Sequence, residues 1–235
     1  MKSIITFLLF ILLGRVVSAH TYVVCVGITD YPGHKNDLRV SANDARTIQT
    51  IFTSNGNASV RCLTNREATA SIIKKTMIEL FGKANADDAI FFYFSGHGVP
   101  GAFICYDRSL HYSEVVEMMS NSKARRKMVI ADACFAGQMR STKNKDKDQW
   151  SHNDVMFFLS SRTKEKSMET PYQNSLFTIF LERGLRGGAD ADRNRIISAR
   201  ELYDFVHSGV VRASSDRQHP VMWGRFNKDM IIIKW

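Results

Sequence analysis

Ala89-Ile90-Phe91-Phe92-Tyr93-Phe94 is an apolar run without alternation, and Met128-Val129-Ile130-Ala131 repeats it in shorter form. A strand wet on one side alternates apolar and polar residues. One that does not alternate is covered on both faces, as central strands of a parallel α/β sheet are. Small and polar residues end each run: Ser95-Gly96-His97-Gly98 after the first, Asp132-Ala133-Cys134-Phe135-Ala136-Gly137 after the second. Open α/β sheets gather their ligands at the carboxyl ends of their strands. An imidazole and a thiol are therefore expected on one rim, the pairing of a cysteine hydrolase.

The flanking pattern is β-α-β-α-β. A first strand over 22–28 is followed by the turn Tyr31-Pro32-Gly33-His34 and a helix over 38–52, whose Leu38, Ala42, Ala45, Ile48 and Phe52 share one face. A strand over 59–63 precedes a helix capped by Thr69, with Ile72, Ile73, Met77, Ile78 and Phe81 as its core stripe and Gly82 at its end. Further on, 103–106 reads as a small hairpin arm, 112–120 as a helix, 155–159 as a strand, and 175–183 and 198–207 as helices. The lysine- and aspartate-rich stretch 139–154 has no sustained periodicity and reads as an exposed linker. The expected fold is α/β in three layers, a mainly parallel sheet of about six strands with helices on both faces.

The first 19 residues read as a cleaved export signal: Lys2, an uncharged apolar stretch over 4–13, then Val17-Ser18-Ala19 before the cleavage point. The apolar stretch is too short to span a bilayer as a helix, which favours cleavage over an uncleaved anchor. Residues 20–235 are expected to form one domain, with a larger portion to 138 and a smaller one from 155, exported to the periplasm or secreted. The formal charge of +9 falls to +7 without Lys2 and Arg15. The basic residues are dispersed, and no aromatics interleave with the clusters at 123–127 and 143–147, so nucleic acid is not the expected partner. Four cysteines, Cys25, Cys62, Cys105 and Cys134, permit two disulfides by number, but Cys25 and Cys105 lie in apolar segments where a buried thiol is the ordinary reading.

The Ser-Gly-His-Gly and Asp-x-Cys-x-x-Gly turns together resemble the caspase-like cysteine peptidases, specifically their metacaspase branch. Val26-Gly27-Ile28-Thr29-Asp30-Tyr31, Asn43-Asp44-Ala45, Leu159-Ser160-Ser161, Ser175-Leu176-Phe177-Thr178 and Gly187-Gly188-Ala189-Asp190 extend the resemblance over the mature chain. It implies Cys134 as nucleophile, His97 as its base, and the backbone N–H groups of Gly98 and Cys134 as oxyanion donors. It further implies that Asp132, Asp44 and Ser95 form a pocket for a P1 Arg or Lys, with Ser160 and Ser161 beside the bound peptide. Phe135 and Ala136 depart from the His and Ser usual in metacaspases. Lys143, Lys145 and Lys147 in the linker are candidate autocleavage points.

Asp190, Asp192, Asn194 and Glu201 have the spacing of a calcium loop, although Arg195 stands where such loops want Gly. The favoured alternative makes Ser198 and Glu201 a capping box for the last helix. No cofactor is expected to be required, calcium being at most a regulator. The expected partner is a protein or peptide substrate, with no membrane contact after signal cleavage and a monomeric enzyme. Two other functions fit the same residues: a catalytically silent binding module, and a transpeptidase or ligase using the same thioester.

Overall fold

The structure, a computed structural model, describes residues 19–133, 154–162, 165, 167–171, 173–224 and 228–235. Its strands are β1 (Thr21–Gly27), β2 (Ala58–Thr64), β3 (Ala89–Gly96), β4 (Gly98–Val99), β5 (Ala102–Ile104), β6 (Ser109–His111), β7 (Arg126–Ala133), β8 (Val155–Leu159), β9 (Ile196–Ser198), β10 (Val221–Trp223) and β11 (Ile231–Lys234). Its α-helices are α1 (Ser41–Ser54), α2 (Ala70–Phe81), α3 (Tyr112–Ser120), α4 (Leu176–Arg183) and α5 (Ala199–Ala213). Six strands form the main sheet in the order β10-β8-β7-β3-β1-β2, parallel throughout except for β10 at one edge.

The two apolar runs are β3 and β7, paired at the centre of the sheet. Their side chains divide between two cores by the period of two that a strand imposes. Ile90, Phe92 and Phe94 join Val129 and Ala131 on the face covered by α2 and α3. Phe91, Tyr93, Met128 and Ile130 face α1, α4 and α5. Each such aromatic, fully buried, contributes about 1.5–3 kcal/mol, so the missing alternation reflects equal demand from both layers.

Several local expectations shift. The first helix begins at Ser41 instead of 38, because Val40 occupies the cap position and Leu38 N donates to Thr29 O. On α2 the buried face is Ala70, Ile73, Met77, Leu80 and Phe81; Ile72 and Ile78 point outward. Thr69 does cap that helix, its hydroxyl accepting from Ile72 N. The hairpin arm is larger than foreseen. It is a three-stranded antiparallel sheet, β4-β5-β6, with the former hairpin residues Cys105 and Tyr106 in the turn after β5. The last helix runs on to Ala213.

Gly27 ends β1 where the start of α1 crosses it. A Cβ there would overlap Ser41 O and come within 2.7 Å of Ala45 Cβ, so only glycine lets the helix sit this close. That approach brings the first turn of α1, and with it Asp44, over the carboxyl end of the sheet.

Candidate active site

Parallel pairing aligns the strand ends. Ser95 pairs with Gly27 on one side and Asp132 on the other, and Gly96 pairs with Ala133. His97 thus follows directly on the aligned rim. Cys134, next in sequence after Ala133, lies outside the described residues, as do Lys143, Lys145 and Lys147.

His97 is half-buried and its ring is held from two sides. Nε2 lies 2.7 Å from the backbone carbonyl of Asn36, in the short turn His34–Asn36 after β1. A carbonyl oxygen only accepts, so Nε2 carries the proton and Nδ1 is the nitrogen left to act as a base. The Tyr31 ring packs against the imidazole at 4.8 Å between centroids. The Tyr31 hydroxyl accepts from His97 N at 2.9 Å and donates to Ile104 O at 3.1 Å, tying the histidine turn to the arm. Gly96 makes room for this, since a Cβ there would lie 2.6 Å from that hydroxyl. Burial pushes the Tyr31 phenol well above its ordinary value, so it stays a neutral donor.

On one side of His97 lies a cavity of about 90 Å³ whose lining includes Asp44, Ser95, Asp132, Met168 and Glu169. The two aspartates are almost wholly enclosed. Asp44 accepts from Ser95 Oγ at 2.8 Å, Asn174 Nδ2 at 2.9 Å and Ser175 N at 3.0 Å. Asp132 accepts from the hydroxyls of Ser167, Ser175 and Thr178. Burial, and then the charge of Asp132, push Asp44 up to about 7 against the pull of its hydrogen bonds. Burial likewise raises Asp132, with the Ser167 and Ser175 hydroxyls opposing. Among the described residues no Lys, Arg or His forms an ion pair with either carboxylate.

Glu169 closes the outer wall by accepting Arg39 N at 2.7 Å and Val40 N at 3.3 Å. Ser160 and Ser161, expected beside a peptide, are fully buried. Ser160 N already donates to Ala131 O, its carbonyl accepts from Gln218 Nε2, and Ser161 Oγ donates to Glu165 O. They brace the segment before the Glu169 wall and leave no free edge at Ser160. Gly98 opens β4, paired with Phe103.

The sequence reading missed Tyr31, the Asn36 carbonyl and the hydroxyl shell of Ser167, Ser175 and Thr178. Ser175 did carry a signal, as the cap of α4, where its hydroxyl accepts from Thr178 N. That position explains why one serine serves both the helix end and Asp132.

The calcium candidates lie elsewhere. Asp190, Asp192 and Glu201 bring oxygens within 4.8 Å of one another. Asn194 Oδ1 accepts from Ile196 N and its Nδ2 donates to Asp192, so that side chain serves the loop. Ser198 and Glu201 form a capping box on α5.

The chain matches the Caspase domain family over residues 20–231. It belongs to that family. The caspase domain is a cysteine-peptidase domain, which accounts for a histidine at the sheet rim and implies protein substrates. Two solved structures share the fold. Caspase-1 from Spodoptera frugiperda superposes with a TM-score of 0.70 at 16% identity, covering 92% of this chain and 90% of that one. A protein of Geobacter sulfurreducens superposes with a TM-score of 0.69 at 15% identity, covering 92% and 97%. No curated protein sequence matches. No helix among the described residues is long and apolar enough to cross a membrane.

Proposed function

We propose that this caspase-domain protein is an endopeptidase that cuts after Arg or Lys, with Cys134 as nucleophile and His97 as base. One observation carries the specificity: two buried carboxylates share a cavity that reaches His97, and no described cation neutralises them. Buried charge is costly unless paired, and a basic P1 side chain supplies the missing partner, Arg by two parallel hydrogen bonds.

In the cycle the Cys134 thiol gives its proton to His97 Nδ1, and the sulfur adds to the scissile carbonyl. Collapse of the adduct breaks the C–N bond, and the imidazolium protonates the departing amine. Water, deprotonated by the same ring, then cleaves the thioester and restores the thiol. The Asn36 carbonyl steadies the ring through both transfers. Donors at Gly98 and Cys134 would each contribute about 3 kcal/mol to the oxyanion. The same specificity makes Lys143, Lys145 and Lys147 substrates, so active enzyme should convert to fragments that Cys134→Ala does not form.

Export is part of the proposal. His20 N lies 2.8 Å from Asp88 Oδ1, and its ring bonds Asn57 and Ser59, so the end that signal cleavage would leave has partners in the body of the domain. An α-ammonium at His20 would form an ion pair with Asp88. Amino-terminal sequencing of exported protein that starts elsewhere would remove this part.

The deciding assay uses fluorogenic peptides with Arg, Lys, Asp or Asn at P1 on wild type and Cys134→Ala. Turnover confined to Arg and Lys and lost in the variant is expected. Turnover after Asp would refute the pocket assignment.

A further inference from the structure

His97 has a second cavity on its other flank, of about 440 Å³, and among the described residues it is the only one that lines both. This one is walled by Pro32, Val99, Ile104 and Tyr106, with Asp107 and Arg108 at its far end. Its floor is the β4-β5-β6 arm. Ile104 N donates to His97 O at 3.0 Å, Cys105 N to Arg108 O at 3.0 Å, and Tyr106 N to Ala68 O at 3.0 Å. Asp107 Oδ1 accepts from Ala70 N at 2.7 Å at the start of α2, so the far end is fastened as well. The groove is pre-formed.

A peptide crossing the site has a fixed polarity. If the P1 side chain fills the acidic cavity, the scissile nitrogen must come within reach of the imidazole that protonates it. The chain beyond that nitrogen then leaves on the opposite side of His97. We propose that the arm-walled cavity is the leaving-group subsite, and that it selects an apolar residue immediately after the cleaved bond. The Asp107 and Arg108 carboxylate and guanidinium lie 4.0 Å apart and largely offset each other. Discrimination at the near end therefore falls to Pro32, Val99 and Ile104. Val99 is 38% exposed, so its side chain is available to a ligand.

This rests on the peptidase reading, and the test separates the two. Internally quenched peptides with Arg at P1 and Leu, Asp or Lys after it are compared with a methyl ester of the same acyl segment, whose leaving group carries no side chain. Wild type should favour Leu over Asp and Lys by about tenfold in kcat/KM, the scale of one apolar contact. Val99→Asp should reverse the order in favour of Lys, and Val99→Lys in favour of Asp. A change in ranking is something a merely loosened arm would not produce. Ester turnover with equal rates on all three peptides, or Val99 variants that slow every peptide alike, would overturn the subsite. Turnover of neither ester nor peptide would overturn the peptidase reading and this inference with it.

Discussion

Two acidic clusters among the described residues contrast, and in the proposed function only one of them receives a cation. Asp44 and Asp132 are buried in a wall of hydroxyls and amides, and open onto a cavity beside His97. Asp190, Asp192 and Glu201 lie at the surface, and their oxygens are occupied by their own loop: Asp190 accepts from Asn194 N and Arg195 N, Asp192 from Asn194 N, and Glu201 from Ala191 N, Ser198 N and Ser198 Oγ. Arg193 and Arg195 take left-handed backbone (φ 62° and 64°) to make those bonds. The surface cluster has more carboxylates but less unmet electrostatic demand. Burial without a charged partner distinguishes the first from the second.

The sharpest way to break this contrast is Asp132→Asn, which keeps the shape of the side chain and removes the charge. Losing one partner of a buried charged contact costs about 2–5 kcal/mol, so kcat/KM for an Arg peptide should fall at least ~30-fold. A peptide with a neutral P1 of similar length should be much less affected. Equal losses on both would show that Asp132 supports the fold, with no part in recognising charge.

Opposite titration sharpens the comparison. Asp44 is raised to about 7 by burial and then by Asp132. In the free enzyme the pocket therefore gains negative charge as pH rises through that value, and the ratio of Arg to neutral-P1 turnover should climb by up to about tenfold between pH 6 and 8. Taking the ratio cancels every pH effect on the chemical step that the two substrates share. Asp44→Asn should flatten it. Stability follows with its own sign. Between the unfolded carboxylate value and about 7 the native state binds more protons than the unfolded state, so Asp44 weakens the fold as pH rises across that window. Asp44→Asn should reduce this decline in thermal scans.

What was legible in the sequence follows the range of the interactions involved. The central strands could be read because burial on both faces is written in consecutive residues, Phe91-Phe92-Tyr93-Phe94 above all. The orientation of α2 could not. Ile72 and Ile78 fit helical spacing as well as Ile73 and Met77, and only α3 and the sheet decide which stripe is covered. Asp44 and Asp132 entered by resemblance to a family. Their enclosure depends on Ser167, Asn174, Ser175 and Thr178, which lie 35 to 131 positions away along the chain from the carboxylates they meet. Ser160 and Ser161 were placed beside the peptide by the same resemblance, and nothing local shows that Gln218, 58 positions on, bonds the carbonyl of Ser160.

The smallest expected effect belongs to the surface cluster. Although its partial burial pushes upward, hydrogen bonds from Ser198 and Ala191 hold Glu201 below the usual carboxylate range. Its contribution to stability is therefore present above the unfolded carboxylate value and is lost as pH falls through the native one, opposite to Asp44. Ser198→Ala removes the hydroxyl that accepts Glu201 N at 3.3 Å and donates to Glu201 Oε2 at 2.7 Å, and should cost about 1 kcal/mol. In a chain of this length that lowers Tm by about 2–4 °C. The loss should shrink in acid, where protonated Glu201 no longer serves as a full acceptor, and should be the same with and without added calcium. A Tm that rises with calcium in wild type, but not in Asp190→Asn, would mean that the loop gives up its internal hydrogen bonds for an ion, and the contrast between the two clusters would then fail.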